Sequence, residues 1–311
     1  MPTITPTGAP DVIKKPQFVE EVVEGTLPLS GPTFKSCGLV QSIGQDITIE
    51  NNKIRPLGEY DVKKQVKLGE VYTSELKFQP DNFQLMKYGM LLPVSPATTP
   101  PDKTMVAPNG TVGVSLSILM SALIDGVEKY KVYTGVKFNG ISGEITREGG
   151  FNVTMPFQCT SISDWTVAPT FSPAATYATD PTANPWSGIS SGADPLSINS
   201  VIYDTTSFKF DIDLGVQRFR PNGVTAFKYS KSFQRNLSVS WNTLVYNNVL
   251  IGDLRSYTPR TVAYTIATGK VLTFNSVRTE SYSAGLEGGS TDFAMEEFSG
   301  VSEGGLTITD V

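Results

Sequence analysis

Apolar and polar residues alternate with a period of two in four segments of the chain: 43–50, 72–78, 208–214 and 235–241. In the third segment, apolar residues occupy the even positions, with Lys209, Asp211 and Asp213 between them. Successive side chains of a β-strand point to opposite sides, so this period predicts strands with one buried face and one solvated face. Strands of this kind are typical of antiparallel sheets.

The composition supports a β-rich fold. Of the 311 residues, 39% are hydrophobic and 10% are aromatic, and Gly and Pro together number 49 (28 + 21). The chain is too apolar for a disordered protein and too rich in Gly and Pro for a helical one. We therefore predict a mainly β protein, built as a β-barrel or a β-sandwich.

Two segments of similar length, about 37–165 and 201–311, carry the same features in the same order. An offset of 165 superposes Arg55-Pro56-x-Gly58 on Arg220-Pro221-x-Gly223 and Ile47 on Ile212. An offset of 163 superposes the strand 72–78 on 235–241, and both copies close with an acidic-Gly-Gly turn. The shared order predicts a tandem duplication. The alternative is two unrelated β-rich domains with a chance similarity.

One short helix is predicted in each copy, directly after the returning strand. The first spans 81–91, with Asp81 as its N-cap and Gly89 at its end. The second spans 242–254, where Asn242 and Gly252 have the same roles. Asp and Asn favour helix N-caps and Gly favours the position after a helix.

Two Pro-rich stretches divide the chain. We predict an extended N-terminal arm at 1–35, in which six prolines break any regular element, and a Pro/Ser/Ala-rich linker at 166–200. The two similar domains then occupy 36–165 and 201–311. Long stretches of this composition are usually linkers or functional arms.

The residue inventory argues against an enzyme. The chain contains no histidine, so it lacks histidine acid–base catalysis and histidine-ligated metals. Two acidic pairs, Asp211 with Asp213 and Glu296 with Glu297, could hold a cation or act as acid and base, but carboxylates on an exposed strand are commonly only solvated. We expect no catalytic residue, no metal and no cofactor.

The net charge of the chain restricts its binding partners, and its cysteines and apolar runs indicate its cellular compartment. The net charge is −5 (25 − 30), without a basic run, which argues against a protein that grips nucleic acid. Cys37 and Cys159 are 122 positions apart, and we favour free buried thiols over a disulfide. The most apolar run, 112–124, is shorter than the roughly 20 residues of a membrane span, so we expect a soluble protein made in the cytoplasm.

At this point the sequence resembles a known family. The run GQDITIENNKIRPLGEYDVKKQVKLGEVYTSELKFQPDNFQLMKYGML looks like the core of tail tube proteins from long-tailed bacterial or archaeal viruses. The pattern is a strand, a long Gly-containing loop, a returning strand, a short helix and further strands. FNGISGEITREGGFNVTMPF and FNSVRTESYSAGLEGGSTDFAMEEF resemble the closing strands of that family.

The resemblance implies a structural virion protein, synthesised in the host cytoplasm and located in the tail. Such subunits stack as rings around a channel that viral DNA crosses as non-specific cargo. A tandem duplicate is similar to the variant in which three chains supply six domains, a homotrimer that is a pseudo-hexamer. The implied partners are the chain itself, the tape measure, the tail terminator and the baseplate or tip, with no membrane partner.

Two sets of residues follow from the resemblance. The polar strand faces would line the channel, and their five acidic and two basic residues give −3 per chain, the sign that lets DNA slide. The long loops 56–70 and 221–233, with the arm, would contact the next ring. The expected lumen residues are Asp46, Thr48, Glu50, Thr73, Glu75, Lys77, Lys209, Asp211, Asp213, Asn236, Ser238 and Ser240. The expected ring-stacking residues are Arg55, Pro56, Gly58, Tyr60, Lys63, Lys64, Arg220, Pro221, Gly223 and Lys228.

Two other functions fit parts of the pattern. An extracellular or capsid-decorating β-sandwich that binds a surface would explain the strands and the linker, but not the matched long loops. The tube of a non-viral injection machine would share fold and mechanism with a viral tail tube. The sequence does not separate these two tubes, and it does not tell a flexible tail from a contractile one.

Overall fold

The computed structural model describes residues 12–28, 34–54, 57, 60–61, 63–90, 104–106, 115–124, 126–146, 150–166, 195–219, 229–232, 235–244, 249–285 and 295–310. The first half contains β1 (Val12–Glu20), β2 (Lys35–Ser36), β3 (Leu39–Ile43), β4 (Asp46–Ile54), β5 (Lys64–Gln79), α1 (Met86–Gly89), β6 (Thr104–Val106), β7 (Leu116–Ile124), β8 (Val127–Phe138), β9 (Gly140–Thr146), β10 (Gly150–Cys159) and β11 (Ser161–Ile162). The second half contains β12 (Leu196–Ile198), β13 (Val201–Tyr203), β14 (Ser207–Asp213), β15 (Val216–Phe219), β16 (Tyr229–Ser232), β17 (Asn236–Leu244), α2 (Val249–Ser256), β18 (Arg260–Ala267), β19 (Lys270–Gly285), β20 (Met295–Ser302) and β21 (Leu306–Asp310). The predicted mainly β fold is confirmed.

One antiparallel run of strands crosses both halves of the chain. It proceeds from β3 and β4, which lie on the same side of β5, through β5, β10 and β9. It continues through β14, β17 and β20 to the second part of β19. We call this run the continuous sheet. The β9–β14 pairing is the seam at which the two halves join.

Further strands form a layer behind the continuous sheet in each half. Behind the first half, β2, β1, β7, β8 and β11 pair in that order. Behind the second half, β13, β12, β18 and the first part of β19 pair, and β21 and β6 follow on the other side of β19. The core between the layers is rich in aromatic residues. For example, Phe208 of the continuous sheet stacks on Tyr264 of β18 with ring centroids 4.7 Å apart.

The two halves repeat the same pairing scheme. In the first half, β5 pairs with β3 and β4 on one side and with β10 on the other, and β10 forms a hairpin with β9. In the second, β17 pairs with β14 and β20, and β20 forms a hairpin with the end of β19. The registers also correct the offset of 165 residues that was predicted between β4 of the first half and β14 of the second. Asp46 lies opposite Thr73 and Asp213 lies opposite Asn236, an offset of 167 (213 − 46) rather than 165.

The prediction that prolines exclude regular structure from 1–35 was wrong. Strand β1 pairs with β7 over most of its length, and Phe18 and Val19 are buried. Pro16 fits because the register shifts between Lys14 and Gln17, an irregularity at which a proline costs no ladder hydrogen bond. Residues 1–11 and 29–33 of the proposed arm lie outside the described residues.

Both helices exist, but their predicted bounds were wrong. Asn242 lies inside β17, which continues to Leu244 because its pairing with β20 extends that far. Helix α2 therefore begins only at Val249, and Gly252 lies inside it. Helix α1 begins at Met86 after Leu85, not at Asp81, although it does end at Gly89. Tertiary pairing overrode the local capping signals.

Two further expectations differ from the structure. The end of the proposed linker belongs to the folded part, since Leu196–Ile198 pair with β13 and β18; residues 167–194 lie outside the described residues. Ile47 and Ile49, predicted on a buried face, are 50% and 55% exposed. The β4–β5 ribbon extends past the strands that cover the rest of the sheet, so nothing in the described chain packs over them.

Candidate functional site

Polar side chains cover one side of the continuous sheet. Directly opposed residues in an antiparallel pair point to the same side, so the registers identify this polar face residue by residue. One row across six strands is Lys77, Thr154, Ser142, Asp211, Ser238 and the apolar Val301, and Arg278 of β19 follows opposite Val301. The next row is Asn152, Glu144, Lys209, Ser240, Ser299 and Ser281. At the usual strand spacing, six strands span roughly 24 Å.

The structure brings all twelve predicted lumen residues to this face. Thr73 and Glu75 share it with Lys77 on β5, and Asp213 and Asn236 oppose each other one position beyond Ile212 and Leu237. Asp46 opposes Thr73, and Thr48 and Glu50 follow on the same side of β4. Their placement on one face is observed; that the face lines a channel remains a prediction.

The opposite side of the same strands is buried. Phe208, Phe210 and Ile212 of β14 are between 0% and 2% exposed, and they alternate with the exposed residues of the polar face. Leu237, Val239 and Trp241 repeat the pattern on β17. Leu250 of α2 and Met86 of α1 belong to this core, so both helices lie on the apolar side.

A groove of about 470 Å³ lies in the middle of the polar face. It straddles the seam, because its lining comes from β9 and β10 of the first half and from β14, β17 and β20 of the second. The lining includes Ser142, Glu144, Thr154, Lys209, Asp211 and Ser240. Most of the lining residues are polar or charged, and Phe210 and Val239 contribute the apolar part.

Each lysine of the predicted lumen set is matched by a carboxylate. Lys209 Nζ lies 2.9 Å from a Glu144 oxygen across the seam, and Lys77 Nζ lies 2.9 Å from Glu75 on the same strand. Glu144 and Glu297 also lie on this face, through their pairing with Lys209 and Asn242. The five predicted acidic residues thus become seven, against the four basic residues Lys77, Lys209, Lys137 and Arg278, a net −3 (4 − 7). Lys137, also on this side, is buried against Glu24 at 2.8 Å.

The pKa shifts agree with a crowded acidic surface. Partial burial, and secondly the charge of Asp213, raise the pKa of Asp211 above its ordinary value of 3.8. The hydrogen bond to Glu144 raises the pKa of Lys209, so its ammonium stays charged at neutral pH. Asp213 itself accepts a hydrogen bond from the backbone N–H of Gly215 at 2.9 Å.

Sequence reasoning missed the part of the polar face that β9, β10 and β20 supply. Strand β10 alternates as regularly as the recognised segments, with Asn152 and Thr154 between the buried Phe151, Val153 and Met155. This alternation of buried and polar residues in β10 could have been recognised from the sequence. Strand β9 was harder to recognise, because Gly143 stands where an apolar residue would mark the buried side.

The proposed ring-stacking residues fall mostly outside the described part of the chain. This applies to Arg55, Pro56, Gly58, Arg220, Pro221, Gly223 and Lys228. Tyr60 is 96% exposed, and Lys63 and Lys64 are exposed beside it. The loops are also shorter than predicted, since β5 begins at Lys64 and β16 spans Tyr229–Ser232.

The described residues were searched for metal-ligand clusters, and no group of three acidic or cysteine side chains among them could hold a metal ion. Cys37 and Cys159 are both buried thiols that form no disulfide, as predicted. Burial raises the pKa of the Cys37 thiol, so it stays protonated and unreactive.

The chain was compared with known protein families, and the matching region covers the strands of this surface. The family model described as phage tail tube protein matches residues 18–302, a span that runs from β1 to the end of β20. The chain belongs to the phage tail tube protein family. The match includes every strand of the polar face and both sides of the seam. Membership gives the protein a structural role in a virion tail.

The search of curated proteins and the search for membrane-spanning helices add little to the tail tube assignment. No curated protein matched the chain. Among the described residues, no helix combines the length and the apolar character that a membrane crossing requires.

Proposed function

We propose that this tail tube protein forms stacked rings in which the polar face lines the channel for viral DNA. The supporting observation is that the polar residues predicted separately from the sequence in 46–50, 73–77, 209–213 and 236–240 share one side of a single sheet. A face whose acidic residues outnumber its basic ones repels phosphates. Each basic residue on it is paired with a carboxylate, so a duplex meets no basic stripe.

The ring in this proposal contains three chains. The two halves have the same pairing scheme and present their polar residues on the same side, which supports a tandem duplication. Three chains would supply six similar units around the axis, a pseudo-hexameric trimer. A polar face that extends over both halves is what each unit needs to contribute equally to the channel wall.

Contact between rings would use the β4–β5 ribbon. Ile47 and Ile49 are half exposed on one side of it, and Tyr60, Lys63 and Lys64 are exposed near its tip. Ring stacking is a head-to-tail contact, which builds an open filament. Apolar residues left exposed on a projecting ribbon are suited to such a contact.

The remaining partners follow from a tail tube role. Tubes in a virion tail end at other tail proteins, which we propose to be the tape measure within the channel, the terminator and the baseplate or tip. DNA would be cargo only, and synthesis and assembly would take place in the host cytoplasm. A non-viral injection tube would use the same surface for another cargo.

Cysteine accessibility tests which face lines the channel. In Ser238→Cys the new thiol lies on the polar face, opposite Asp211; in Arg255→Cys it lies on α2, on the apolar side of the sheet. The native cysteines are buried and contribute little background. A maleimide attached to a bulky polymer should label residue 238 quickly in dissociated subunits and slowly in assembled tubes, and residue 255 equally in both. Equal labelling of residue 238 in the two states would contradict the proposal.

A further inference from the structure

The connection between the helix and the strand that follows it differs between the two halves. Strand β7 pairs with β8 as β18 pairs with β19, so the two connections are equivalent. In the first half, α1 ends at Gly89 and β7 begins at Leu116, with 26 residues between them (116 − 89 − 1). In the second half, α2 ends at Ser256 and β18 begins at Arg260, which leaves three residues (260 − 256 − 1). The first half thus has an insertion, and we call residues 90–115 the strap.

The strap places a strand on the other half of the chain. Its strand β6 (Thr104–Val106) pairs antiparallel with β21, and Met105 lies opposite Ile308 at the centre of this pairing. The other side of β21 pairs with β19, so β6 covers the outer edge of β21. Residues 91–103 and 107–114, on either side of β6, lie outside the described residues. A segment of the first half therefore completes a sheet of the second half.

A side chain of the second half holds the beginning of the strap. Arg235, which directly precedes β17, donates a hydrogen bond from its guanidinium to the backbone carbonyl of Met90 at 3.4 Å. Met90 is fully buried and follows the last residue of α1, where carbonyls have no partner within a helix. The same guanidinium lies near Gly305, just before β21, with Nη2 3.0 Å from the position of a Cβ at that glycine. The strap thus contacts the second half at two places beside β21.

Without the strap, β21 would be an edge strand. Leu306 and Ile308 bury their side chains in the core, but the pairing with β19 satisfies only one side of the β21 backbone. An unpaired edge offers its N–H and C=O groups to any other strand. Strand β6 satisfies these groups with a strand of the same chain.

The first half has no equivalent cover. Strand β11 follows β10 and pairs with β8, as β21 follows β20 and pairs with β19. Among the described residues, β11 has no second neighbour that corresponds to β6. The second half cannot supply one from its own helix-to-strand connection, because that connection has only three residues. The strap is therefore used once per chain, between the two halves of that chain.

We propose that the strap is an intrachain clasp, in which β6 on β21 keeps the two halves of one chain paired with each other at the seam. A chain with two similar halves is exposed to domain swapping, in which the first half of one copy pairs with the second half of another. The clasp favours the intrachain pairing because β6 is joined through α1 and β7 to the half that supplies β9. It acts within one chain and does not depend on the proposed ring.

The geometry of the seam explains why a second attachment matters. A Cβ at Gly140 would lie 2.1 Å from the Ile212 carbonyl oxygen, and one at Gly143 would overlap the Phe210 ring. Contacts this close tolerate little displacement of one half against the other. The β9–β14 pairing lies in the continuous sheet and the β6–β21 pairing in the layer behind it. Two attachments in different layers prevent the rotation that a single line of pairing would allow.

Disulfide trapping tests whether the clasp is intrachain. Thr104 and Thr309 oppose each other, and opposed residues have Cβ atoms about 4.5–5.5 Å apart, so Thr104→Cys with Thr309→Cys should oxidise. The product should run as a monomer on a non-reducing gel at every protein concentration. Thr104→Cys with Thr307→Cys, displaced by two positions, should react much more slowly. Covalent dimers that increase with concentration, or no cross-link at all, would overturn the clasp.

Removal of the β6 hydrogen bonds tests what the clasp does. Neighbouring N–H groups of a strand point to opposite sides, so Thr104→Pro with Met105→Pro removes the one that faces β21. Hydrogen exchange of the β14 amides should become at least about tenfold faster, and dimers should form when the protein is concentrated. Thr104→Ala with Met105→Ala keeps both N–H groups and should behave as the parent chain. Parental exchange in the proline variant would overturn the clasp.

Tube formation by the oxidised Thr104→Cys with Thr309→Cys chain separates the clasp from the proposed function. This chain should form the same tubes as the parent chain, because the clasp stays closed during assembly. Tubes that form only after reduction would show that β6 must leave β21, and would overturn the clasp while the tube stands. An intrachain cross-link in a chain that never forms tubes would support the clasp and contradict the tube.

Discussion

Gly143 of β9 faces Phe210 of β14 directly across the seam between the two halves of the sheet. A Cβ at position 143 would overlap the Phe210 ring, which is 2% exposed and lies 5.8 Å from the ring of Phe274. The glycine thus allows an aromatic residue of one half to pack into the core beside the other half. The seam is a packed joint, and not only a set of backbone hydrogen bonds.

Gly143→Ala should destabilise the protein. The added methyl group must displace a buried ring, and overpacking of this kind costs about 1–3 kcal/mol. The measurement is the free energy of unfolding from denaturant titration. Gly252→Ala is the matched control: it lies inside α2 with nothing within 4 Å of the new Cβ, and it should be neutral or stabilising by up to about 1 kcal/mol.

A second substitution identifies the mechanism. If the overlap with Phe210 causes the loss, Phe210→Leu should relieve part of it, and the double variant should be less destabilised than the sum of the two single variants. Strict additivity would show that the two residues do not interact.

The sequence correctly predicted the buried side of those strands that other parts of the same chain cover. Strands β14 and β17 alternate as expected because both have neighbours on each side within the chain. Strand β4 has the same alternation, yet Ile47 and Ile49 remain half exposed, since no second layer of the described chain reaches them. The alternation of apolar and polar residues alone does not show whether the surface that buries the apolar side belongs to the same molecule.

Long-range pairing limited the rest of the prediction. Asn242 is a good N-cap by residue type, but β20 holds it in a strand. Strand β1 contains a proline and was read as an arm, although its pairing with β7 decides its structure. The polar faces of the strands were predicted better than the helices, because the side on which a strand residue lies depends on the alternation and not on where the strand ends.

Glu21→Gln should destabilise the attachment of the N-terminal strand. The buried Glu21 carboxylate accepts hydrogen bonds from Ser117 Oγ at 2.6 Å and from the backbone N–H groups of Gly25 and Gly135, each at 2.8 Å. A glutamine would turn an N–H₂ group toward one of these donors, at a cost of about 1–3 kcal/mol. The measurement is again the free energy of unfolding.

The control for that variant is Glu303→Gln. Glu303 is 54% exposed and forms an ion pair with Arg278 at 2.8 Å. Exposed pairs contribute about 0–1 kcal/mol, so this substitution should have the smaller effect. Equal losses at positions 21 and 303 would mean that the buried carboxylate does not anchor β1.

Asp211→Asn should stabilise the folded subunit at neutral pH. Because the folded-state pKa of Asp211 is raised, its charge opposes folding above that pKa, and the opposition disappears only when the pH falls below the ordinary value of 3.8. The gain should therefore be full at pH 7 and absent well below pH 3.8. Denaturation midpoints across this range measure it, with the neutral Ser238→Asn on the same face as control. A gain that persists unchanged in acid would show that the Asp211 charge is not its source.

Electron microscopy of the purified protein, with averaged end-on views, tests the central claim most directly. The account predicts hollow tubes with three-fold symmetry, six similar lobes and the polar face toward the channel. Tubes with true six-fold symmetry would contradict the three-chain ring, because each chain would then supply only one unit to the wall. Discrete particles without a channel under every polymerising condition would contradict the tube itself.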